Sequence, residues 1–98
     1  MLAGIDYQKM DQPEDIQVKN LKWCIALAKE LGRPLVLHAR SDGARNAYSK
    51  CMDVLLELDP EASLHIHWHW FGGTKDDLIR ILLKYKEKVK LKGGTVNL

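Results

Sequence analysis

The apolar residues of this chain switch between two periods, short runs of strand length and longer stretches at helical spacing, in an order that repeats along the sequence. Met1-Leu-Ala-Gly-Ile5 is a short apolar run ending at Asp6-Tyr7. A polar stretch with Pro13, suited to a first helical turn, opens a helix from Glu14 to Leu31. Leu21, Cys24, Ile25, Ala28 and Leu31 make its apolar stripe, with Lys19, Lys22, Lys29 and Glu30 off it, and Gly32 supplies the stop. Pro34-Leu-Val-Leu-His38 is continuously apolar, as expected for a strand covered on both faces. Ser41 and Asp42 are natural N-caps for a second helix, in which Ala44, Ala47, Tyr48, Cys51, Leu55 and Leu58 keep helical spacing until Asp59-Pro60.

Leu64 to Phe71 reads as the third strand, closed by Gly72-Gly73, with Trp68 and Trp70 turned towards the covering helices as core. Thr74 caps a third helix whose Asp76 and Asp77 favour its positive end and whose buried stripe is Leu78, Ile81, Leu82 and Tyr85. Val89 to Lys92 forms a last strand before Gly93-Gly94. The order is β-α-β-α-β-α-β in units of about thirty residues, which predicts an α/β domain of parallel strands joined by crossover helices. Residues 1–98 form one such domain without a linker or low-complexity segment.

Composition narrows the picture only in places. With 46% apolar residues and no apolar run of membrane length, the chain is neither disordered nor membrane-spanning. A formal charge of +2 is too small to imply nucleic-acid binding by itself. Cys24 and Cys51 lie on the apolar faces of predicted helices at a spacing that fits no zinc or redox motif, so they read as buried thiols of a reducing compartment. The first residues lack the basic and apolar regions of a secretory signal, so the cytoplasm or nucleus is expected.

Parallel sheets bind ligands at the carboxyl ends of their strands. Asp6, His38 and His69 each fall at or beside such an end, 32 and 31 positions apart, so one sheet can bring them to one rim. Imidazole with carboxylate suits zinc and similar ions, whereas carboxylate with water suits magnesium or manganese. A single histidine at a strand end is more often a hydrogen-bonded structural residue. His65, His67 and His69 would share one face of a strand at steps of roughly 6.5–7 Å, close enough to share an ion, although the inner two lie where neutral core histidines are common. Lys88, Lys90 and Lys92 alternate in the last strand, which suits a solvated edge strand better than a DNA-tracking patch.

Three stretches carry a resemblance: Gly4-Ile-Asp-Tyr7, the run Ala28-Lys-Glu-Leu-Gly-Arg-Pro-Leu-Val-Leu-His-Ala-Arg40 preceded by Gln17, and His69-Trp-Phe-Gly-Gly73. Together they resemble the TatD family of metal-dependent deoxyribonucleases, whose usual forms are G-E-x-G-L-D-Y, a helix ending L-x-P-V-x-x-H-S-R, and H-C-F-S-G. The resemblance implies a TIM-type (β/α)8 barrel with a divalent ion, magnesium, manganese or zinc, at its C-terminal face, hydrolysing phosphodiester bonds of DNA. It puts His38 and His69 on two single-histidine metal ligands, Asp6 beside the site, and Arg40 near it to meet a phosphate, and matches His65 and His67 to no ligand.

It also places Leu2 where the family has a ligating glutamate, with the early H-x-H pair and the late aspartate outside the chain. The chain is therefore expected to be an incomplete, central part of the barrel, inactive alone and prone to self-association. DNA is the expected substrate of the full-length protein, with no membrane and no obligate protein partner. Two alternatives stand beside this: a related barrel hydrolase for a small molecule, and a truncated or degenerate barrel acting as an interaction module.

Overall fold

A computed structural model describes residues 2–9 and 12–94, Leu2 by its backbone alone. Its elements are β1 (Leu2–Asp6), α1 (Glu14–Leu31), β2 (Leu35–Arg40), α2 (Ala47–Leu58), β3 (Ile66–Phe71), α3 (Lys75–Tyr85), a 3₁₀ turn (Lys86–Lys88) and β4 (Val89–Gly94). The strands lie side by side in sequence order, and every neighbouring pair is parallel. A parallel neighbour cannot be reached by a hairpin, so each helix serves as a crossover. The result is an open four-stranded α/β sheet, the architecture of part of a TIM-type barrel that has not closed.

Local chemistry explains most of the boundaries. Glu14 and Asp15 occupy the first turn of α1, where the helix dipole favours negative charge, and Gly32 ends it in the left-handed conformation at φ 65°. The start of α2 differs from the expectation. Its N-cap is Asn46, whose side chain accepts from the Ser49 N–H, while Ser41 and Asp42 belong to the preceding loop and Ala44 lies outside the helix. The Ser41 hydroxyl still accepts from the Ala47 N–H, and the Asp42 carboxylate accepts from the N–H groups of Ala44 and Arg45. Thr74 caps α3 as the sequence implies, in a reciprocal capping box with Asp77.

A single core fills the space between the sheet and the helices. Leu35, Leu37 and Ala39 of β2 and Ile66 and Trp68 of β3 meet Leu21, Ile25 and Ala28 of α1, Tyr48, Cys51 and Leu55 of α2, and Ile81 and Tyr85 of α3. Leu31 leaves the expected stripe and is 59% exposed. Ten residues beyond Leu21 is a rotation well past the centre of the helix's apolar face at 3.6 residues per turn. Leu82, displaced to the outer side of α3 relative to Ile81 and Tyr85, is exposed as well.

Trp68 is core, 1% exposed, but Trp70 is not. Its backbone adopts φ 56°, which breaks the two-residue alternation of β3 and sends the indole away from the helices. For a bulky residue that conformation costs on the order of 1–3 kcal/mol, so the surroundings must impose it.

The second face of the sheet carries no helix among the described residues. The alternate positions of β2, Val36, His38 and Arg40, are half-buried, as is His67, while Lys90 and Lys92 of β4 are exposed. β4 is one of the two edge strands, and its lysines are exposed to solvent, as edge strands commonly arrange. Lys88 lies in the 3₁₀ turn, where its ammonium donates to the Ala62 carbonyl. No helix among the described residues is long and apolar enough to cross a membrane.

Candidate functional site

The C-terminal ends of β1 and β2 are tied down by side chains from α1 and from the loop after β1. Gln17 of α1 grips the end of β1 from both sides: its Oε1 accepts from the Asp6 N–H at 2.7 Å, and its Nε2 donates to the Asp6 carbonyl at 3.2 Å. The Asp6 carboxylate accepts from the N–H groups of Gln8 and Lys9 at 2.8 and 2.9 Å, an Asx turn that bends the chain out of the strand. Gln8 then reaches across to the Ser41 carbonyl at 2.7 Å. In the ladder between β1 and β2, Asp6 stands opposite Arg40 and Gly4 opposite His38.

Gly4 is required there. A Cβ at that position would fall 1.7 Å from the His38 carbonyl oxygen, so the two backbones approach in a way no side chain permits.

Paired residues of parallel strands present their side chains to the same face. Val36 is paired with His67 and Leu37 with Trp68, so His38 and His69 both lie on the open face, each one residue beyond the last pair of the ladder between β2 and β3. His69 is in turn paired with Lys92, and His67 with Lys90. One face of the sheet therefore carries Asp6, His38, Arg40, His67, His69, Lys90 and Lys92.

The three alternating histidines are not equivalent. His65 precedes β3 and is exposed, its carbonyl accepting from the Leu35 N–H at the opposite rim. His67 lines a cavity with Leu31, Arg33, Pro34 and Val36, also towards that rim. Only His69 stands at the carboxyl end of β3, near the end of β2 that carries His38.

A cavity of about 220 Å³ opens at the carboxyl rim, lined by Gln8, His38, Ala39, Arg40, Ser41, Tyr48, Trp70 and Gly72. Tyr48 forms its floor. Its ring packs 5.4 Å from Trp68 and 4.8 Å from Phe71 between centroids, and its hydroxyl accepts from the Gly72 N–H at 2.6 Å. Burial raises the hydroxyl's pKa above its ordinary value, so it stays protonated. In the adjoining loop the Arg45 guanidinium pairs with Asp42 at 2.8 Å and lies 4.4 Å from the Tyr7 ring centroid.

Gln8, Tyr48 and Trp70 are rim residues that the sequence pattern did not single out. Trp70 carried the available signal, because it stands where the H-C-F-S-G form has cysteine.

The donors do not make a metal centre by themselves. Among the described residues no group of three or more His, Cys, Asp and Glu side chains is placed to hold an ion. His38 and His69 offer two neutral donors, whereas zinc sites take three or four protein ligands. The Asp6 carboxylate on this face is engaged in its turn, and Arg40, Lys90 and Lys92 make the face cationic. The side chain of Leu2, where the family's glutamate would stand, lies outside the described residues.

A family model described as TatD related DNase matches residues 2–89. No curated protein matches the chain.

Proposed function

Because this chain belongs to the TatD-related DNase family, we propose that it supplies part of the active site of a divalent-metal-dependent hydrolase that cleaves phosphodiester bonds of DNA. His38 and His69 are two of the ion's ligands, and the carboxylates that would complete and charge-balance the site come from strands outside the four described here. Arg40 meets a phosphate oxygen of the substrate, a role suited to its planar, always-charged guanidinium. What supports the reading is one arrangement: His38 and His69 on a shared face at the carboxyl ends of neighbouring parallel strands, with Arg40 two residues beyond His38 on that face.

Two measurements test it. A complete barrel carrying this unit should release nucleotides from DNA with magnesium, manganese or zinc, and His38→Ala or His69→Ala should each abolish that release. Hydrolysis of amides or lactones in preference to phosphodiesters would point instead to a small-molecule hydrolase. The 98-residue chain itself should not turn DNA over.

The lack of a three-donor group among the described residues favours a second reading, an interaction module that has lost the chemistry. Calorimetric titration with zinc or manganese separates the two. Micromolar affinity that disappears in His38→Ala counts against a purely structural role.

A further inference from the structure

Trp70 is the large exposed aromatic side chain of the rim. It is 65% exposed, it leaves the core face of β3 through a left-handed backbone, and its indole lines the cavity shared by His38, Arg40 and Ser41. β4 holds it there. Gly93, itself at φ 75°, faces the ring so closely that a Cβ would come within 2.4 Å of Cε3 and 2.6 Å of Cζ3. The indole thus rests on bare backbone at Gly93, and much of its surface is open to solvent.

Two cations stand on this part of the sheet. Arg40 makes no side-chain hydrogen bond or ion pair among the described residues, and Lys92 stands on the same face, paired with His69. A volume of about 220 Å³ is less than the roughly 300–1,000 Å³ of a pocket that encloses a whole ligand, so it fits one unit of a chain that continues into solvent.

We propose that Trp70 is a stacking platform for one nucleobase, with the Arg40 guanidinium on the adjoining phosphate, so that this rim takes single-stranded rather than duplex DNA. This rests on the DNA reading above and narrows it. An exposed aromatic face beside unpaired cations is the combination that holds single strands without sequence preference, because every base offers a π-face and every linkage a charge. A base inside a duplex has both faces covered by its neighbours and cannot reach the indole.

The test uses the 98-residue chain in EDTA, so that binding is read without cleavage, with short fluorescent oligothymidylate, its duplex with oligoadenylate, and inorganic polyphosphate as probes. The single strand should bind more tightly than the duplex and quench tryptophan emission. Trp70→Ala should weaken single-strand binding roughly 5- to 150-fold and leave polyphosphate binding unchanged. Trp70→Phe, which keeps a smaller ring, should retain most of the affinity and lose the quenching, since Trp23 and Trp68 remain. Arg40→Ala should weaken both polyanions.

Equal affinity of wild type and Trp70→Ala, preference for the duplex, or no binding of the single strand overturns the proposal. Circular dichroism shows whether each variant is folded, and Trp70→Phe keeps the test decisive should the alanine variant not be. In a complete barrel the two readings separate. Loss of metal-dependent cleavage with persistent Trp70-dependent binding removes the hydrolase reading alone, and cleavage of single strands with an unchanged KM in Trp70→Ala removes the stacking site alone.

Discussion

Asp59 is the only fully buried charged side chain among the described residues, and its environment shows how a carboxylate is kept ionised inside a core. Burial opposes the charge. The hydrogen bonds outweigh it: the carboxylate accepts from the Ser63 hydroxyl at 2.6 Å and N–H at 3.1 Å, the Leu64 N–H at 3.2 Å and the Tyr85 hydroxyl at 2.9 Å, with the Lys29 ammonium 3.5 Å away. The carboxyl is held below its ordinary range, and burial followed by this same bond raises the Tyr85 hydroxyl. A folded pKa below the unfolded value of about 3.9 contributes stability that is complete above that value and disappears as pH falls through the folded one. Asp59→Asn, which puts an amide donor against donors, should destabilise the chain by about 1–3 kcal/mol at neutral pH and flatten the acid limb of its stability curve. Urea unfolding across the acid to neutral range measures both. Trp68 is the contrary case, a fully buried indole N–H without a partner among the described residues, tolerated because the ring itself is packed on all sides. Cys51, also buried, has its thiol pushed up to about 12 by desolvation, which suits the inert core thiol its helical position implies.

At the scale of elements, the helices were legible wherever the local signal was undivided. α1 begins and ends where the acidic first turn and Gly32 say it should, and the capping box of α3 is written in Thr74 and Asp77. The start of α2 is ambiguous in the sequence because Ser41, Asp42 and Asn46 are all good caps, and only the packing of Ala47 and Tyr48 against the sheet decides for Asn46. The strand-end histidines could be placed on a rim from spacing alone, since parallel crossovers of equal length return to the same end of the sheet. The turned-out Trp70 could not. Its displacement depends on a positive φ and on Gly93 of a different strand, and neither leaves a periodic trace. Gly4 belongs to this scale as well, as the contact that lets β1 and β2 close on each other at His38. Gly4→Ala should push β1 away from the His38 carbonyl, cost about 1–3 kcal/mol or more, and shift the His38 resonances in a proton–nitrogen NMR spectrum. An unchanged His38 signal would show that the strand yields without disturbing the rim.

For the molecule as a whole, the decisive feature is a sheet with helices on one face and two ends, β1 and β4, in its strand order. The uncovered face carries half-buried Val36 and His67 beside charged groups, and the helices expose Trp23, Leu31 and Leu83 to solvent. Open edges and uncovered apolar surface favour association, which the lysines of β4 oppose on one side only. The chain should therefore sediment as a concentration-dependent mixture, and a sharp monomeric boundary at all concentrations would show that the open face is stable in water. Tyr48 gives this architecture a further consequence. Its ring belongs to the interior and its hydroxyl to the rim, so the first turn of α2 and the loop after β3 are mechanically yoked through one phenol. A small tilt of α2, from whatever quarter, is delivered as a displacement of Gly72 and of the indole beside it, so the shape of the mouth is set from behind the sheet.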